Sequence, residues 1–435
     1  MKPSVTSYEK KLSDIPIDYS WSFSDKTISD TSYITHGYYT YPAKFIPQLA
    51  ARLIREYSHE GDIVVDPFMG SGTTIVEALV NKRVGIGVDI NNIAYLIAKV
   101  KTTPLPAMSL LQEFNKINKD LQGRMNGDYK KYLQKSLSLV PQNERIDYWF
   151  LPQQKEKLSI IFARILEVQD ENMKFFFLVA FAQILKSCSI WLQKSIKPTR
   201  DQNKKIYEPF VLFTNQAKKM IKKHDEFNNI VEQKIKHEID KFRIIKCGDS
   251  RDLPCKDNTA TLTVTSPPYV TSYEYADLHQ LPSLWFGYLN ELQEFRKKFI
   301  GSAYKSRENI ELKSQIADKI VSNLGNNKKG KEVKYYFADM LETFIENKRV
   351  LKTGGKICVV IGNTQFQGVD ILNAEVFQEQ LENIGFQTYN IIHREIPSKM
   401  LPSTRDTETG QFAKVTDKNA KLAYPTEYIL VMEKL

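Results

Sequence analysis

The sequence predicts an α/β protein. Its frame is a doubly wound, mostly parallel sheet with an antiparallel strand at the C-terminal end, interrupted by two insertions. Three observations carry this reading. A strand–turn–helix–strand–helix unit fills residues 61–104. The same rhythm resumes at 242–268 after a long helical stretch. The last two strand-like segments are separated by a polar loop at 397–425, as in an antiparallel pair with a wide excursion.

The elements follow in order. "DIVVD" is a short β-branched run, "PFMGSG" a turn, and "TTIVEALVNK" has helical spacing. "VGIGVD" is a second strand and "NNIAYLIAKVK" a second helix, so residues 1–104 read as the first part of the sheet domain. Residues 105–241 are amphipathic and helical in pattern and read as a helical insertion. The domain then resumes over 242–435. "FRIIKCGDSRDLP" (242–254) is a strand into a loop, and "TLTVTSPPY" a strand that must end at its two prolines, which donate no backbone hydrogen bond. Residues 270–335 read as a smaller, irregular insertion ending in the polar "NLGNNKKGKEVK". A helix, "YYFADMLETFIENKRVLK", leads through Gly354-Gly355 to the strand "KICVVIGN"; a helix near 371–384 and the strands "FQTYNIIHREI" and "TEYILVMEK" follow.

Composition narrows the class of function. With 42% hydrophobic and 26% charged residues in 435, the chain is of ordinary globular composition. A formal charge of +10 suits a polyanionic partner. The four cysteines, Cys188, Cys247, Cys255 and Cys358, have no CxxC spacing, so neither a zinc site nor a disulfide framework is expected. The most apolar run, "FFFLVAFAQIL" (175–185), is too short to cross a bilayer and reads as a buried helix. The N-terminus has no apolar signal core, and a soluble cytoplasmic protein is expected.

Asp66-Pro67-Phe68-Met69-Gly70-Ser71-Gly72-Thr73-Thr74 lies where a strand hands over to a helix. Glycines there let a ligand approach the backbone, and the helix N-terminus offers unpaired amides. A triphosphate loop would need GxxxxGK[ST], and no lysine follows Gly72; a dinucleotide loop would need a third glycine that is absent. A nucleoside without phosphates, such as S-adenosylmethionine, remains, and an acid opening the turn suits its ammonium and sulfonium charges. Asp89 ends the second strand where an acid can grasp ribose hydroxyls, and Asp249 ends the third, placed to accept from an adenine amino group.

"DPFMGSGTT" together with "TSPPY" resembles the S-adenosylmethionine-dependent amino-methyltransferases of DNA, which modify cytosine N4 or adenine N6. "HGYYTYPAKFIPQLAARLI" (36–54) resembles the family's additional cofactor-binding segment. The resemblance spans roughly 30–104 and 242–435, with the cofactor segment first, the turn next and the proline loop last. It implies a class I, Rossmann-like methyltransferase fold that uses S-adenosylmethionine and no metal. The implied cofactor contacts are Tyr41, Pro42, Lys44, Asp66, Pro67, Phe68, Gly70, Gly72, Thr73, Thr74, Asp89, Ile90, Asn91, Asp249 and Ser250. The implied catalytic tetrapeptide is Ser266-Pro267-Pro268-Tyr269.

The chemistry accounts for that tetrapeptide. The exocyclic amine of a base is conjugated with its ring and is a poor nucleophile. Ser266 Oγ and the Pro267 carbonyl are the expected acceptors that localise its lone pair, preorganised by the prolines. Tyr269 offers a face for a base extruded from the duplex. Within the family a serine here points to cytosine N4 ahead of adenine N6, with RNA or protein-amide methylation and a non-catalytic nucleic-acid-binding protein as further alternatives. Double-stranded DNA is the implied partner, and a cognate restriction endonuclease a candidate one. Cys255 precedes the fourth strand and reads as a loop residue rather than a nucleophile.

Within the insertions, "WLQKSIKPTRDQNKKIYEPF" (191–210) and "NQAKKMIKKHDEF" (215–227) concentrate positive charge. Lys194, Lys197, Arg200, Lys204 and Lys205 are candidate phosphate contacts; the alternative is a solvated face. After the proline loop, Tyr273, Tyr275 and Trp285 read either as walls of a base pocket or as packing residues. His279 has no partner that the sequence identifies.

Overall fold

A computed structural model describes residues 12–42, 44–126, 129–193, 195, 198–270, 275–289, 296–302, 310–397, 404–406, 416–417, 420–422 and 425–435. The chain divides into two compact units. The first comprises Thr27–Pro254 and Tyr273–Phe299; the second comprises Met1–Lys26, Cys255–Ser272 and Ile300–Leu435.

The first unit holds strands β1 (Ile63–Asp66), β2 (Val84–Asp89) and β3 (Arg243–Cys247) in the order β3-β2-β1. All are parallel, with Asp66 opposite Gly87 and Asp89 opposite Cys247. β1 and β2 are short and apolar because they are almost wholly buried, with the helices Thr73–Val80 and Asn92–Thr102 packed against this part of the sheet. The helices between β2 and β3 share a core with the last of these. Ile93, Leu96, Ile97 and Val100 of Asn92–Thr102 belong to the same buried cluster as Phe162, Phe176, Phe181 and Trp285. The apolar run reads true: the helix Glu171–Leu185, capped by the Asp170 carboxylate on the Met173 amide, is the centre of that cluster. Among the described residues no helix is long and apolar enough to cross a membrane.

In the second unit, β4 (Ala260–Thr265), β5 (Leu351–Ile361), the hairpin β6 (Thr364–Phe366) and β7 (Val369–Ile371), β8 (Phe386–Glu395), β9 (Thr404–Asp406), β10 (Ala420–Leu422) and β11 (Thr426–Lys434) follow in sequence. The main strands stand in the order β4-β5-β11-β8. β4 and β5 are parallel, and β11 runs antiparallel to both its neighbours, as the long 397–425 excursion predicts. The mixed, mostly parallel fold class expected from sequence is therefore present. Residues near the N-terminus join this unit, with Ile17 bridged to His393 and the Asp18 amide bonded to the His393 carbonyl.

Two readings change. Residues 270–335 are not irregular throughout: Gln280–Trp285 and Gln315–Leu324 are helices, and the next helix begins at Lys328 rather than Tyr335. "NLGNNKKGKEVK" is thus a helix–helix junction whose lysines hide the apolar period. Asn327 caps the amides of Lys329 and Gly330, and a Cβ on Gly330 would stand 2.1 Å from the Gly325 carbonyl oxygen. Gly354 and Gly355 lie inside β5, which already starts at Leu351, rather than before it.

Trp285 settles as a packing residue. It is wholly buried and meets Phe150, Phe162 and Phe181 edge-on at 5.3–5.9 Å between ring centres. Trp285→Ala is expected to lower unfolding free energy by about 3–5 kcal/mol. A urea midpoint equal to that of the unsubstituted chain would contradict this packing role.

Candidate functional site

The glycine turn is built by opposed constraints on its backbone. β1 ends at Asp66, buried, with Oδ1 accepting the Phe68 amide at 3.1 Å. The Met69 amide donates to the Val88 carbonyl at 3.0 Å, and the Gly70 amide to Asp89 Oδ2 at 2.9 Å. Gly70 and Gly72 have φ of +48° and +77°, a region that side chains disfavour. Close approach demands the same residues. A Cβ on Gly70 would lie 3.2 Å from the Tyr41 ring, and one on Gly72 2.9 Å from Ala98 Cβ. The cofactor segment predicted at Tyr41 therefore rests on the predicted turn. Pro67 is buried, and Tyr41, Pro42 and Phe68 are half-buried around it.

Polar groups at the turn await partners. Among the described residues, Ser71 Oγ and Thr73 Oγ1 are buried without a hydrogen bond, beside the N-terminus of the helix Thr73–Val80, whose Thr74 is also buried. Asp89 holds Gly70 with one oxygen and the Asn91 amide at 2.9 Å with the other. Burial pushes its carboxyl up to about 6, against the pull of those two amides. Asn91 in turn caps the helix Asn92–Thr102 through the Ile93 amide, and the Ile90 carbonyl accepts from the Cys247 thiol. These features fit a ligand bearing hydroxyl donors and no phosphate.

Asp249 is engaged differently from the expectation. Its carboxylate takes Arg251 Nε at 2.8 Å and Nη2 at 2.6 Å, as well as the Arg251 amide, while Ser250 is buried beside it. An adenine amino group would have to share an acceptor already held by a guanidinium. Lys44 donates to the His36 carbonyl at 3.0 Å, and burial pulls its ammonium down to about 8.

Beneath the turn lies a set of charges that the motif reading missed. Lys101, buried, donates to the Ser71 carbonyl at 2.7 Å. Glu77, one turn into the helix, meets His36 Nε2 at 2.7 Å and accepts from the Tyr33 hydroxyl. Burial raises Glu77 to about 7 and holds Lys101 and His36 well below their usual values. The available signal was a glutamate in the middle of the otherwise apolar "TTIVEALV".

The proline corner stands at the exit of β4, with Pro267 buried and Ser266, Pro268 and Tyr269 half-buried. The Tyr336 hydroxyl donates to the Pro268 carbonyl at 2.8 Å, and the Gly362 amide donates to the Tyr269 hydroxyl at 3.0 Å. That hydroxyl also lies 3.5 Å from Glu427, whose other oxygen is 2.5 Å from Arg394. Among the described residues nothing bonds Ser266 Oγ or the Pro267 carbonyl. Among those residues both expected acceptors are unengaged, while the carbonyl after them is fixed. Cys255 is confirmed as a loop residue before β4, its thiol near Thr259 and raised by burial, the opposite of an activated thiolate.

The basic segment separates into distinct roles. Arg200 is exposed, its guanidinium 4.3 Å from the centre of the Tyr148 ring, and Lys205 is exposed 5.8 Å from the Tyr207 ring. Lys204 instead points inward, donating to the carbonyls of Lys186 at 2.5 Å and Trp191 at 2.7 Å, so loop closure displaces its expected phosphate role. Lys194 and Lys197 lie outside the described residues, as does Tyr273.

A DNA methylase family model of the N6/N4 type matches residues 2–100 and 260–435. The Type II methyltransferase M.MvaI of Kocuria varians is 27% identical over 93% of this chain and 92% of its own length. M.MjaII of Methanocaldococcus jannaschii, also a Type II methyltransferase, is 22% identical over 82% of this chain and 77% of its own. The DNA adenine methyltransferase YhdJ of Escherichia coli is 31% identical over 22% of this chain and 32% of its own. A solved geranyl diphosphate methyltransferase covers 89% of this chain and 77% of its own at 7% identity, with a TM-score of 0.33, a likeness too low to argue from.

The turn generates a direct expectation. Gly72→Ala combines a positive φ with a collision against Ala98, and is expected to destabilise by about 1–3 kcal/mol. Chemical denaturation reads this; an unchanged midpoint would show that the approach of the two helices is not tight.

Proposed function

Because the chain belongs to the N6/N4 DNA methylase family, we propose that it moves a methyl group from S-adenosylmethionine to the exocyclic amine of a base in double-stranded DNA, cytosine N4 ahead of adenine N6. The observation that carries the proposal is the pair of open acceptors at the proline corner. A base amine has two N–H donors to place, and Ser266 Oγ and the Pro267 carbonyl, unbonded among the described residues, can receive them. Withdrawing both hydrogens from the ring plane localises the nitrogen lone pair, and fixed acceptors do so without reorganising.

The remaining residues bind and orient. Tyr269, its hydroxyl tethered by Gly362, presents a ring of set orientation to an extruded base. When bound, S-adenosylmethionine supplies an electrophilic methyl on sulfonium. The turn residues Asp66, Gly70, Gly72, Thr73, Thr74, Asp89, Ile90 and Asn91, with Tyr41 and Pro42, are the group's proposed holders. Lys44 and Asp249, with Ser250, act one step back, bracing backbone and Arg251. Arg200 and Lys205 contact DNA phosphate.

Cytosine is supported by the serine of "TSPPY", a residue typical of N4 enzymes in the resembled family. Adenine N6 is the second reading, favoured by the short likeness to a DNA adenine methyltransferase. The relatives' description as Type II methyltransferases supports a place beside a cognate restriction endonuclease. The deciding experiment is mass spectrometry of nucleosides from DNA treated with the protein and labelled S-adenosylmethionine. N4-methylcytosine upholds the proposal, N6-methyladenine selects the second reading, and no labelled base refutes both.

Two expectations follow. Ser266→Ala and Tyr269→Ala should each lower kcat by at least about a hundredfold while leaving cofactor binding within a few-fold. A loss of cofactor affinity in a folded variant would contradict that division of roles. The Asp89 carboxyl, raised to about 6 in the free protein, accepts hydroxyl donors best when ionised. Its raised value means the ionised form destabilises the free protein as pH climbs from about 4 through 6, and a ligand that bonds it relieves this. Cofactor affinity should therefore rise with pH up to about 6, level off above, and lose the dependence in Asp89→Asn. A flat calorimetric profile in the unsubstituted protein would remove Asp89 from the site.

A further inference from the structure

Tyr269 sits at one end of a polar thread that crosses the second unit from strand to strand. Its ring passes over Gly362, the residue after β5, where a Cβ would stand 3.3 Å from the tyrosine oxygen and 3.5 Å from Cε1. The Gly362 amide donates to the hydroxyl at 3.0 Å, and the hydroxyl's own hydrogen has Glu427 Oε2 on β11 as its acceptor, 3.5 Å away. Glu427 and Arg394 are buried and stand opposite each other across the β11–β8 ladder, with Oε1 and Nη1 2.5 Å apart. Arg394 Nη2 reaches on to the Ser22 carbonyl at 3.4 Å. The thread thus runs from the exit of β4 past β5 and β11 to β8, in the order in which those strands stand. Stability does not account for the ion pair. Desolvating two charges offsets most of their attraction, and two apolar side chains facing each other here would serve the core as well. What an apolar residue at 427 could not supply is an acceptor for a half-buried phenolic hydrogen.

We propose that Glu427, held by Arg394, is a positioning residue for methyl transfer: it fixes the Tyr269 hydroxyl and so sets the angle of the ring on which the extruded base stacks. A tyrosine ring swings about χ1 and χ2, and a donor and an acceptor gripping its far end arrest both motions. A stacked base is placed no more accurately than the ring beneath it, and a displacement of about 1 Å can cost about a hundredfold in rate. Glu427 acts through the hydroxyl and not on the base. The inference deepens the functional reading above and rests on it.

The test uses the full chain, labelled S-adenosylmethionine and unmethylated genomic DNA, with the rate of transfer read under single turnover. Replacing the pair together, Glu427→Met with Arg394→Met, removes the acceptor without leaving a buried charge unpaired, and should melt at or above the unsubstituted protein. Its transfer rate is expected to fall about tenfold while S-adenosylmethionine affinity stays within about twofold. Tyr269→Phe, which keeps the ring and loses the hydroxyl, should show the same loss. The variant carrying all three substitutions should lose no more, because the carboxylate and the hydroxyl act as one unit. A rate within about twofold of the unsubstituted protein, in the paired replacement or in Tyr269→Phe, overturns the proposal. Losses that multiply in the triple variant overturn it too, as the mark of a role independent of the hydroxyl. If the paired replacement does not fold, Tyr269→Phe decides alone, since it leaves the ion pair intact. An unsubstituted protein that transfers no label to DNA brings down the functional reading and this inference with it; equal transfer by the unsubstituted and substituted proteins defeats the inference alone.

Discussion

The bond from the Gly70 amide to the Asp89 carboxylate, made where Gly72 touches Ala98, is the constraint on which the turn depends. It ties the end of β1 to the end of β2 at the point where the chain must reverse into a helix. Any side chain at either glycine would push away Tyr41 or the helix Asn92–Thr102. The backbone is therefore drawn tight by the fold itself, and the helix N-terminus faces a space with orphaned hydroxyls of Ser71 and Thr73. The triphosphate-binding loop is also glycine-rich, but it brings a lysine to the ligand. Here the acid Asp89 stands at the turn and the lysine, Lys101, lies buried beneath it.

That arrangement explains the charges underneath. A buried ammonium is unfavourable unless paired, and Lys101 is held by the Ser71 carbonyl with Glu77 near enough to favour its charge. Glu77 also collects His36 and Tyr33 from the segment that precedes Tyr41. One carboxylate thus links the interior of the helix to the segment lying over the turn. Its role is positional, and it couples burial in the sheet unit to the placing of Tyr41.

At the proline corner the division is between groups that are held and groups that are open. Prolines remove donors, and the remaining polar atoms are sorted by their neighbours. Tyr336 takes the Pro268 carbonyl and Gly362 takes the Tyr269 hydroxyl, while among the described residues nothing bonds the acceptors before them. Gly362 suits this because a Cβ there would come within 3.3 Å of the tyrosine oxygen. A loop held in this way presents its acceptors at fixed positions, the condition under which preorganisation lowers a barrier.

The sequence by itself determined the strands and helices around both corners, the antiparallel last strand, and the residue types at the turn and the tetrapeptide. These are local signals: β-branched alternation, glycine where φ is positive, proline where a ladder must stop. Tertiary structure alone decided which charges are buried and whom each polar atom meets. Lys204 reads as a phosphate contact until folding turns its ammonium onto two carbonyls, and Asp249 reads as an open acceptor until Arg251 closes on it. Tyr336 and Lys101 reach their positions from segments far along the chain, so no spacing in the sequence announces them. The physical reason is the same in each case: hydrogen bonding and desolvation depend on neighbours in space, and only packing supplies those neighbours.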